Sequence, residues 1–284
     1  MEKNQTYKFP PVLNLVRKLF PKIERYAPKI ADKIAVDFFF RPINFKATEA
    51  EEKAFSKAQI QPVIIAGKKT ITYSWGEGKP VLMTHGWAGR GTQFRKFVEP
   101  FNESGYKVVS FDAPAHGRSA GQKTHMGEFS ELIFKLQDIH GHFEATLGHS
   151  FGGAVNMYTK LKGLSAEKMI LIASPSVAED ILENYLSILN GHKDRLVYFR
   201  QYVRKHFGID FNETSTYVMS EKLKPLPMLL IHDKNDRDVP IKHSISLQSK
   251  LGYPKLYQTE KLGHNRILKD AGVISKCLDF IQNN

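Results

Sequence analysis

Short apolar segments alternate with helix-forming segments along most of this chain, from about residue 70 to its C-terminal end. The segments YKVVSFDAP, EKMILIASP and PMLLIHD are continuous apolar runs, which are typical of strands buried on both faces. Helical patterns alternate with such strands near residues 127–140, 151–162, 240–251 and 270–282. This alternation predicts an α/β fold with a mostly parallel central sheet and helices on both faces.

One interval breaks the alternation. Some fifty residues separate the strand that ends in IASP from the strand PMLLIHD, about twice the length that a crossover helix needs. The interval has a helical pattern, and we interpret residues 176–225 as a helical lid inserted after the sixth strand. The domain that carries this lid is predicted to cover residues 61–284.

A serine stands between glycines in the segment LGHSFGG, residues 147–153. Ser150 follows the strand EATLG and precedes the helical pattern FGGAVNMYTKLK, so it lies at a predicted strand-to-helix turn. The pattern G-x-S-x-G at such a turn is typical of a nucleophile elbow, in which glycines allow a strained turn to pass close to its neighbours. The alternative interpretation is a helix N-cap serine.

A serine hydroxyl becomes a good nucleophile only when a base accepts its proton and a carboxylate orients that base. Later segments offer both partners in chain order. IHDKNDRDVP follows one apolar strand and carries Asp233, Asp236 and Asp238, and KLGHNRIL follows the next strand and carries His264. Any of the three aspartates could be the acid, and His264 could also be a surface loop histidine.

Together these segments resemble the α/β-hydrolase superfamily, over about residues 70–284. The family commonly has its acid in a D-x-x-V-P stretch after the seventh strand, which Asp236 matches, and its base in a G-H stretch after the eighth, which His264 matches. The resemblance therefore implies a Ser150–His264–Asp236 catalytic triad in a serine esterase. We expect no cofactor and no metal.

The same resemblance implies an oxyanion hole, built from backbone N–H groups aimed at the negative oxygen of a tetrahedral intermediate. In the family one donor belongs to the residue after the nucleophile and the other to the loop after the third strand. Here these are Phe151 and Trp87, and His85 is expected to be structural. DAPAHGRSAG at residues 112–121 resembles the family's D-x-x-G-H-G-x-S segment, with alanine at position 115 where glycine is usual.

Other chemistries fit the residues less well. HGH at residues 140–142 has no carboxylate or cysteine partner at a familiar metal-ligand spacing. The epoxide hydrolase and dehalogenase branches of the family have aspartate where this chain has Ser150, and a lipase should have a more apolar lid. We therefore expect a small acyl ester substrate, or else a thioester or amide. A non-enzymatic ligand-binding member of the fold and a peripheral-membrane lipid acyl hydrolase are the alternatives.

The N-terminal region is basic. The net charge of the chain is +12, and the first 75 residues contain 14 Lys or Arg but 7 Asp or Glu. Apolar residues at three- and four-residue spacing predict that residues 1–60 form an amphipathic helical extension. We expect this extension to pack on the main domain with its basic face in water. Contact with an anionic membrane surface is a secondary expectation, and no nucleic-acid motif accompanies the charge.

Sorting signals and cysteines add little more. The N-terminus lacks the apolar core of a signal peptide, and no apolar run approaches the roughly 20 residues that span a bilayer. The single cysteine, Cys277, lies in an apolar run and is expected to be a buried thiol near the end of a helix. These features favour a cytoplasmic protein that could associate with membranes. The oligomeric state and the natural substrate are not predicted.

Overall fold

The computed structural model describes residues 11–283, with side chains from residue 13 onward. Contacts between residues group the chain into two units. The smaller unit consists of the described part of Met1–Phe40 together with Ala178–Phe211, and the larger one consists of Arg41–Val177 together with the residues from Asn212 onward. The inserted helices therefore group with the N-terminal helices.

The larger unit contains one sheet of eight strands. Their bounds are β1 Gln59–Ile65, β2 Lys68–Trp75, β3 Lys79–Thr84, β4 Tyr106–Asp112, β5 Phe143–His149, β6 Ala166–Ile172, β7 Met228–Asp233 and β8 Lys255–Thr259. The order across the sheet is β1-β2-β4-β3-β5-β6-β7-β8. β1 and β2 run antiparallel to their neighbours, whereas all the pairs from β4 to β8 are parallel.

Helices connect the strands and form the smaller unit. The α-helices are α1 Pro11–Tyr26, α2 Pro28–Phe39, α3 Glu49–Ser56, α4 Arg95–Glu103, α5 Met126–His140, α6 Phe151–Leu161, α7 Ala178–Ile188, α8 Arg195–Phe207, α9 Thr216–Met219, α10 Lys242–Leu251, α11 Gly263–Arg266 and α12 Ala271–Asn283. Short 3-10 helices cover Gly91–Phe94, Phe211–Thr214 and Ile267–Lys269. Only α1, α2, α7 and α8 lie in the smaller unit.

Both faces of the sheet are covered, as predicted. Successive residues of a strand point to opposite faces, so Val81 and Met83 of β3 pack in one core cluster and Leu82 packs in another. The first cluster includes side chains of α4 and α12, and the second includes side chains of α5 and α6. The predicted mostly parallel sheet with helices on both faces is therefore confirmed. Cys277, in α12, is a buried free thiol, as expected.

The sequence analysis did not predict strand β1. Its sequence, QIQPVII, contains Pro62, which lacks the N–H that a central strand needs. The structure places β1 at the edge of the sheet, paired on one side only with β2, where proline is tolerated. The sheet therefore begins at Gln59, ahead of the predicted first strand.

The smaller unit has a hydrophobic core of its own, to which its four helices all contribute. Phe20 of α1 is fully buried in this core, beside residues such as Leu182 of α7 and Phe199 of α8. Polar contacts connect the same helices, since the hydroxyl of Tyr185 donates to the carbonyl of Ala35 at 2.6 Å. The N-terminal helices are therefore part of a packed structure.

The predicted division of the chain at residue 60 differs from this grouping, because residues 41–60 lie in the larger unit. The predicted lid at residues 176–225 and the packing of the extension on the main domain stay predictions. Residues 1–10 of the predicted extension lie outside the described residues. None of the helices described is long and apolar enough to span a membrane.

Phe20→Ala should destabilise the smaller unit by about 3–5 kcal/mol, because it leaves a cavity in a core that depends on this ring. Leu19→Ala is the matched control, since Leu19 lies on the same helix with 41% of its surface exposed. Hydrogen exchange of the α7 and α8 amides measures the effect, and we expect faster exchange in Phe20→Ala alone. Equal exchange in the two variants would contradict the shared core.

Candidate active site

Ser150 lies at a sharp turn between a strand and a helix. β5 ends at His149, α6 begins at Phe151, and Ser150 between them has φ 54° and ψ −125°. A positive φ is strained for a residue with a side chain, and such strain is characteristic of functional sites. Ser150 does not cap α6 through its side chain, so the N-cap interpretation lacks its hydrogen bond.

The surroundings of the turn explain its glycines. A Cβ atom on Gly152 would lie 2.2 Å from the carbonyl oxygen of Thr84, and one on Gly148 would lie 2.5 Å from the Cα of Gly153. Backbone hydrogen bonds hold the turn from both sides. The Ser150 N–H donates to the carbonyl of Ile172 at 2.8 Å, and the Ser150 carbonyl accepts from the Gly153 N–H at 3.0 Å. The neighbouring strands thus fix the strained conformation of the serine.

Asp236 and His264 are in direct contact. Asp236 follows β7 and His264 lies in α11 after β8, and these strands are parallel neighbours, so their carboxyl ends meet at one edge of the sheet. The Nδ1 atom of His264 lies 2.7 Å from Oδ2 of Asp236. Because a carboxylate is an acceptor, Nδ1–H is the donor and Nε2 is left to accept a proton. This is the tautomer that a general base for serine requires.

The environment of Asp236 keeps its carboxylate ionised. Burial by itself raises the pKa of this carboxyl, but hydrogen bonds from His232, His264 and the Val239 N–H outweigh burial and lower the pKa below its ordinary value. The N–H groups of Asp238 and Val239 both donate to Oδ1 at 2.9 Å. A charged carboxylate opposite Nδ1 would stabilise an imidazolium at position 264.

His232 is a neighbour of this pair that sequence analysis did not find. It is fully buried, and its Nε2 lies 2.8 Å from the carbonyl of Val239 and 3.5 Å from Oδ2 of Asp236. Because the carbonyl can only accept, Nε2 carries the proton, and Nδ1 accepts from the hydroxyl of Ser244 at 2.7 Å. His232 therefore holds the loop that carries Asp236. Nothing in the segment LLIHD distinguishes it from an ordinary buried strand residue.

Asp233 has a different set of partners. Its Oδ2 accepts from the hydroxyl of Thr259 at 2.8 Å and from the Leu262 N–H at 3.0 Å, and its Oδ1 accepts from the Asn235 N–H. Burial raises the pKa of Asp233, but a hydrogen bond from the Gly263 backbone together with these three lowers it overall. The carboxylate therefore connects β7 to the segment before His264. Of the three candidate aspartates, Asp236 is the one that contacts the His264 ring.

His149, the residue before the serine, also contacts His264. Nε2–H of His149 donates to the backbone carbonyl of His264 at 2.8 Å, and the two rings lie 4.8 Å apart. Burial and the nearby His264 lower the pKa of His149 to about 3, so it is neutral at ordinary pH. His149 thus joins the turn of Ser150 to the segment that carries His264. Among residues 11–283 the hydrogen bonds do not include a direct one from Ser150 Oγ to His264, a bond that often forms only with substrate.

Replacing His149 with phenylalanine should lower kcat by about 10- to 100-fold with little change in KM, because the His264 backbone loses its donor and the base moves. His149→Gln keeps an N–H donor and should recover much of the loss, which a defect in packing alone would not do. Steady-state kinetics on a chromogenic ester measure both parameters. If His149→Phe retains full kcat, the base loop does not depend on this contact.

The predicted oxyanion-hole residues lie at the ends of adjacent strands. Phe151 is the first residue of α6, so its N–H has no acceptor within the helix. Trp87 follows β3, and its ring packs edge-to-face on the rings of Phe151 and His116 at centroid distances of 5.5 and 5.3 Å. β3 and β5 are parallel neighbours, so both residues lie at the same sheet edge as Ser150.

Two buried histidines hold the loop that carries Trp87. His116 accepts from the Ala88 N–H at 3.1 Å through Nε2, and His85 accepts from the Ala113 N–H at 3.0 Å through Nε2. His85 also donates through Nδ1–H to the carbonyl of Gly86. Both histidines connect the loop after β3 to the loop after β4, in agreement with the structural role expected for His85. The segment DAPAHGRSAG thus contributes one of these supports, His116.

Buried neutral histidines make the fold sensitive to acid. Burial lowers the pKa of His116 to about 4 and that of His149 to about 3. The unfolded chain binds these protons near pH 6.5, so it holds more protons than the folded chain below that pH, and stability falls as pH falls. From pH 7 to pH 5 we expect a loss of about 2 kcal/mol per histidine. Urea unfolding at both pH values measures it, and equal stability would contradict the neutral state.

Within the described residues, one group of carboxylate and histidine side chains is close enough to hold a metal ion. It consists of Asp236, Asp238 and His264, whose ligand atoms lie within 4.8 Å of one another. His264 offers Asp236 its Nδ1–H, and a metal would have to displace that proton. The hydrogen bond between His264 and Asp236 therefore already uses two of the three groups that would bind the metal.

Known proteins are similar to this chain in sequence. A family model described as alpha/beta hydrolase fold matches residues 79–196, which include Ser150 and the loop of Trp87. A serine hydrolase-like protein of Danio rerio is 28% identical over 44% of this chain. The chain covers only 40% of the length of that relative, well under two thirds.

Solved structures share the fold at low sequence identity. An esterase of Exiguobacterium antarcticum superposes with a TM-score of 0.62, with 17% identity over 79% of this chain and 100% of the esterase chain. A bromoperoxidase of Bacillus anthracis also has a TM-score of 0.62, with 18% identity over 80% of this chain and 100% of that chain. Proteins that catalyse different reactions therefore match equally well. These similarities establish the fold, and the reaction has to be inferred from the residues of the site.

Proposed function

Because the chain belongs to the α/β-hydrolase superfamily, we propose that it is a serine hydrolase that cleaves a carboxylic ester through an acyl-enzyme intermediate. The observation that carries the proposal is the strained Ser150 next to His149, whose ring contacts the segment of His264, which is itself paired with Asp236. A nucleophile, a base and an orienting carboxylate are the three groups that acyl transfer through serine requires.

In the proposed first step, Nε2 of His264 removes the proton of the Ser150 hydroxyl while Oγ attacks the acyl carbon. The ester carbonyl becomes an oxyanion, which the N–H groups of Trp87 and Phe151 would stabilise. When the tetrahedral intermediate collapses, the acyl carbon–oxygen bond to the alcohol breaks, and the imidazolium gives its proton to the leaving alkoxide. The products of this half-reaction are the alcohol and an ester of Ser150.

Water completes the cycle by the same route. His264 takes a proton from water as the hydroxide attacks the acyl-enzyme, and it returns that proton to Oγ as the carboxylic acid leaves. Asp236 remains ionised throughout and keeps Nδ1–H of His264 directed toward itself. Every group in both steps belongs to the chain, so the proposed mechanism uses no cofactor.

A fluorophosphonate probe tests the proposal directly, since it reacts with activated serines. We expect the intact protein to form a covalent adduct that peptide mass spectrometry assigns to Ser150, and esters in a p-nitrophenyl series to compete with it. A matching acyl-thioester series, compared by kcat/KM, distinguishes ester from thioester preference. An unlabelled Ser150 in folded protein would support a ligand-binding function without catalysis.

A chelator is the second test, because Asp236, Asp238 and His264 could hold a metal ion. We expect EDTA to leave ester hydrolysis unchanged, since the proposed proton transfers require an uncoordinated imidazole. Loss of activity with EDTA and recovery with Zn²⁺ would replace the serine mechanism with metal-assisted hydrolysis. Dialysed enzyme without EDTA is the control.

A further inference from the structure

The outer surface of α1 and α2 has an unusual charge composition. Between residues 13 and 40, the exposed charged side chains are all cationic, namely Lys18, Lys22, Arg25, Lys29 and Lys33. The three acidic residues of this stretch, Glu24, Asp32 and Asp37, are buried or half-buried. The exposed surface of these helices is therefore positive without interruption.

Two of these three acidic side chains pair with Arg195, which lies outside α1 and α2. Asp32 lies 3.0 Å from Nη1 of Arg195, and Glu24 lies 3.4 Å from its Nε. Glu24 also accepts from the backbone N–H of His192 at 3.0 Å. Both carboxylates thus face the inserted helix α8. In the described part of the chain, the four exposed lysines of α1 and α2 have no carboxylate within 4 Å.

Between residues 178 and 211 of the same unit, three of the four exposed lysine and arginine side chains are paired, and Lys205 is the exception. Lys193 lies 2.6 Å from Glu183, Arg204 lies 2.6 Å from Asp210, and Arg200 is paired with Glu179. Such pairs are the usual arrangement of a solvated surface. The contrast within one small unit distinguishes the surface of α1 and α2 from the surface of α7 and α8.

Large apolar side chains lie exposed beside the cations. The exposed fractions are 57% for Leu15, 41% for Leu19, 78% for Tyr26 and 56% for Ile30. At 100° per residue, Leu15, Leu19 and Tyr26 fall on one strip of α1, adjacent to the strip of the cations at positions 18, 22 and 25. The opposite side of α1 already supplies Phe20 to the core. α1 therefore has an exposed apolar strip in addition to the apolar face that is buried in the core.

We propose that this surface, formed by Leu15, Lys18, Leu19, Lys22, Arg25 and Tyr26, lies on an anionic phospholipid membrane. Lysine and arginine side chains next to leucine and tyrosine on one helix face match a bilayer interface, where the cations reach the headgroups while the apolar groups enter the acyl boundary. A nucleic acid would use the cations but would leave Leu15 and Leu19 in water.

This interaction would hold the protein at the bilayer surface without a membrane-spanning segment. It goes beyond the proposed hydrolase activity and does not depend on it, because none of the six residues belongs to the proposed active site. Hydrolysis of a water-soluble ester can therefore be measured in the same samples. Loss of membrane binding with full ester hydrolysis would separate the two proposals.

Co-sedimentation of the full-length protein with vesicles tests the proposal. We expect binding to phosphatidylcholine vesicles that contain phosphatidylserine at low salt, little binding to vesicles of phosphatidylcholine alone, and release at high salt as the charges are screened. No binding to the phosphatidylserine vesicles at low salt would overturn the proposal. Equal binding to both kinds of vesicle would also overturn it, since the cations would then have no role.

Charge variants locate the surface. The triple variant Lys18→Gln, Lys22→Gln, Arg25→Gln should reduce partitioning onto phosphatidylserine vesicles by about 100-fold. The matched control is Lys57→Gln, Lys96→Gln, Lys224→Gln, which removes the same charge from exposed lysines of the other unit. We expect the control to bind nearly as well as the parent. Equal losses in the two variants would mean that net charge alone drives binding, contrary to the proposal.

Variants of the exposed leucines test whether apolar side chains contribute to membrane binding. Leu15→Ser with Leu19→Ser should weaken vesicle binding by at least about tenfold, whereas Val197→Ser with Ile245→Ser, at positions 54% and 48% exposed, should not. Binding of a duplex DNA of matched charge is measured in parallel. If DNA binds more tightly than the vesicles, and Leu15→Ser with Leu19→Ser has no effect on either, the surface is a polyanion site and the membrane proposal fails.

Discussion

Replacing Ser150 with alanine should lower kcat for a good ester by roughly a million-fold, because the acyl-enzyme cannot form without its hydroxyl. The fold should be kept, since alanine has nearly the same size and the turn is held by backbone hydrogen bonds to Ile172 and Gly153. Hydrolysis of a p-nitrophenyl ester, measured after extensive purification, provides the rate. Hydrogen exchange of the β5 and α6 amides confirms that the turn is intact.

Two further variants make this result specific. Ser56→Ala removes an exposed hydroxyl that donates to the carbonyl of Lys53, far along the chain from the site, and should leave kcat unchanged. Ser150→Cys restores a nucleophile at the same position and should react with thiol reagents, which Ser150→Ala cannot do there. Persistent hydrolysis by Ser150→Ala at more than about a thousandth of the parental rate would exclude the serine mechanism.

Asp236→Asn should lower kcat by about 10⁴-fold while Asp233→Asn should lower it by less than about tenfold. Asparagine at position 236 can donate to Nδ1 of His264, so the imidazole is held in the wrong tautomer and Nε2 no longer accepts the serine proton. Asp233 has no such contact with the ring, and its partners are Thr259, Leu262 and Asn235.

The pair of variants is well matched, because both aspartates are buried after the same strand and both accept backbone N–H groups. Asp233→Asn is expected to lower stability, since Thr259 and the Leu262 N–H lose a charged acceptor. Rates are therefore compared per folded molecule, with the folded fraction taken from urea unfolding. A larger loss of kcat in Asp233→Asn than in Asp236→Asn would move the catalytic acid to position 233.

Local sequence patterns were sufficient to predict most strands of the sheet. Strands from β2 to β8 have apolar runs or alternations between turn residues, and hydrophobic periodicity predicts them because it reflects local burial. β1 was missed because Pro62 argues against a central strand, and a pattern cannot show that the strand lies at an edge. His149 and His232 were missed for a related reason. The role of His149 depends on the His264 carbonyl, 115 residues away along the chain, and the role of His232 depends on how the loop after β7 folds back to bring the Val239 carbonyl to it.

Local patterns also could not predict that α1 and α2 group with α7 and α8. The amphipathic pattern of α1 and α2 predicts helices with a buried face, but it contains no information on what covers that face. The structure places Phe20 in a core with α7 and α8, and Asp32 forms an ion pair with Arg195, 163 residues later. The energy of such contacts arises only when both segments are folded, so neither segment alone specifies its partner.

The sequence by itself determined the α/β architecture and three short segments in the order serine, acid, base, because periodicity, glycine turns and residue chemistry are local properties. Residue chemistry alone left three aspartates as candidates for the acid, and the resemblance to the α/β-hydrolases favoured Asp236. Only the tertiary structure shows their contacts, since β7 and β8 lie side by side and bring Oδ2 of Asp236 within 2.7 Å of Nδ1 of His264, while Asp233 accepts from Thr259. The positive φ of Ser150 was likewise visible only in the tertiary structure, where the Ser150 N–H is bonded to β6 and Gly152 packs against the carbonyl of Thr84 at the end of β3.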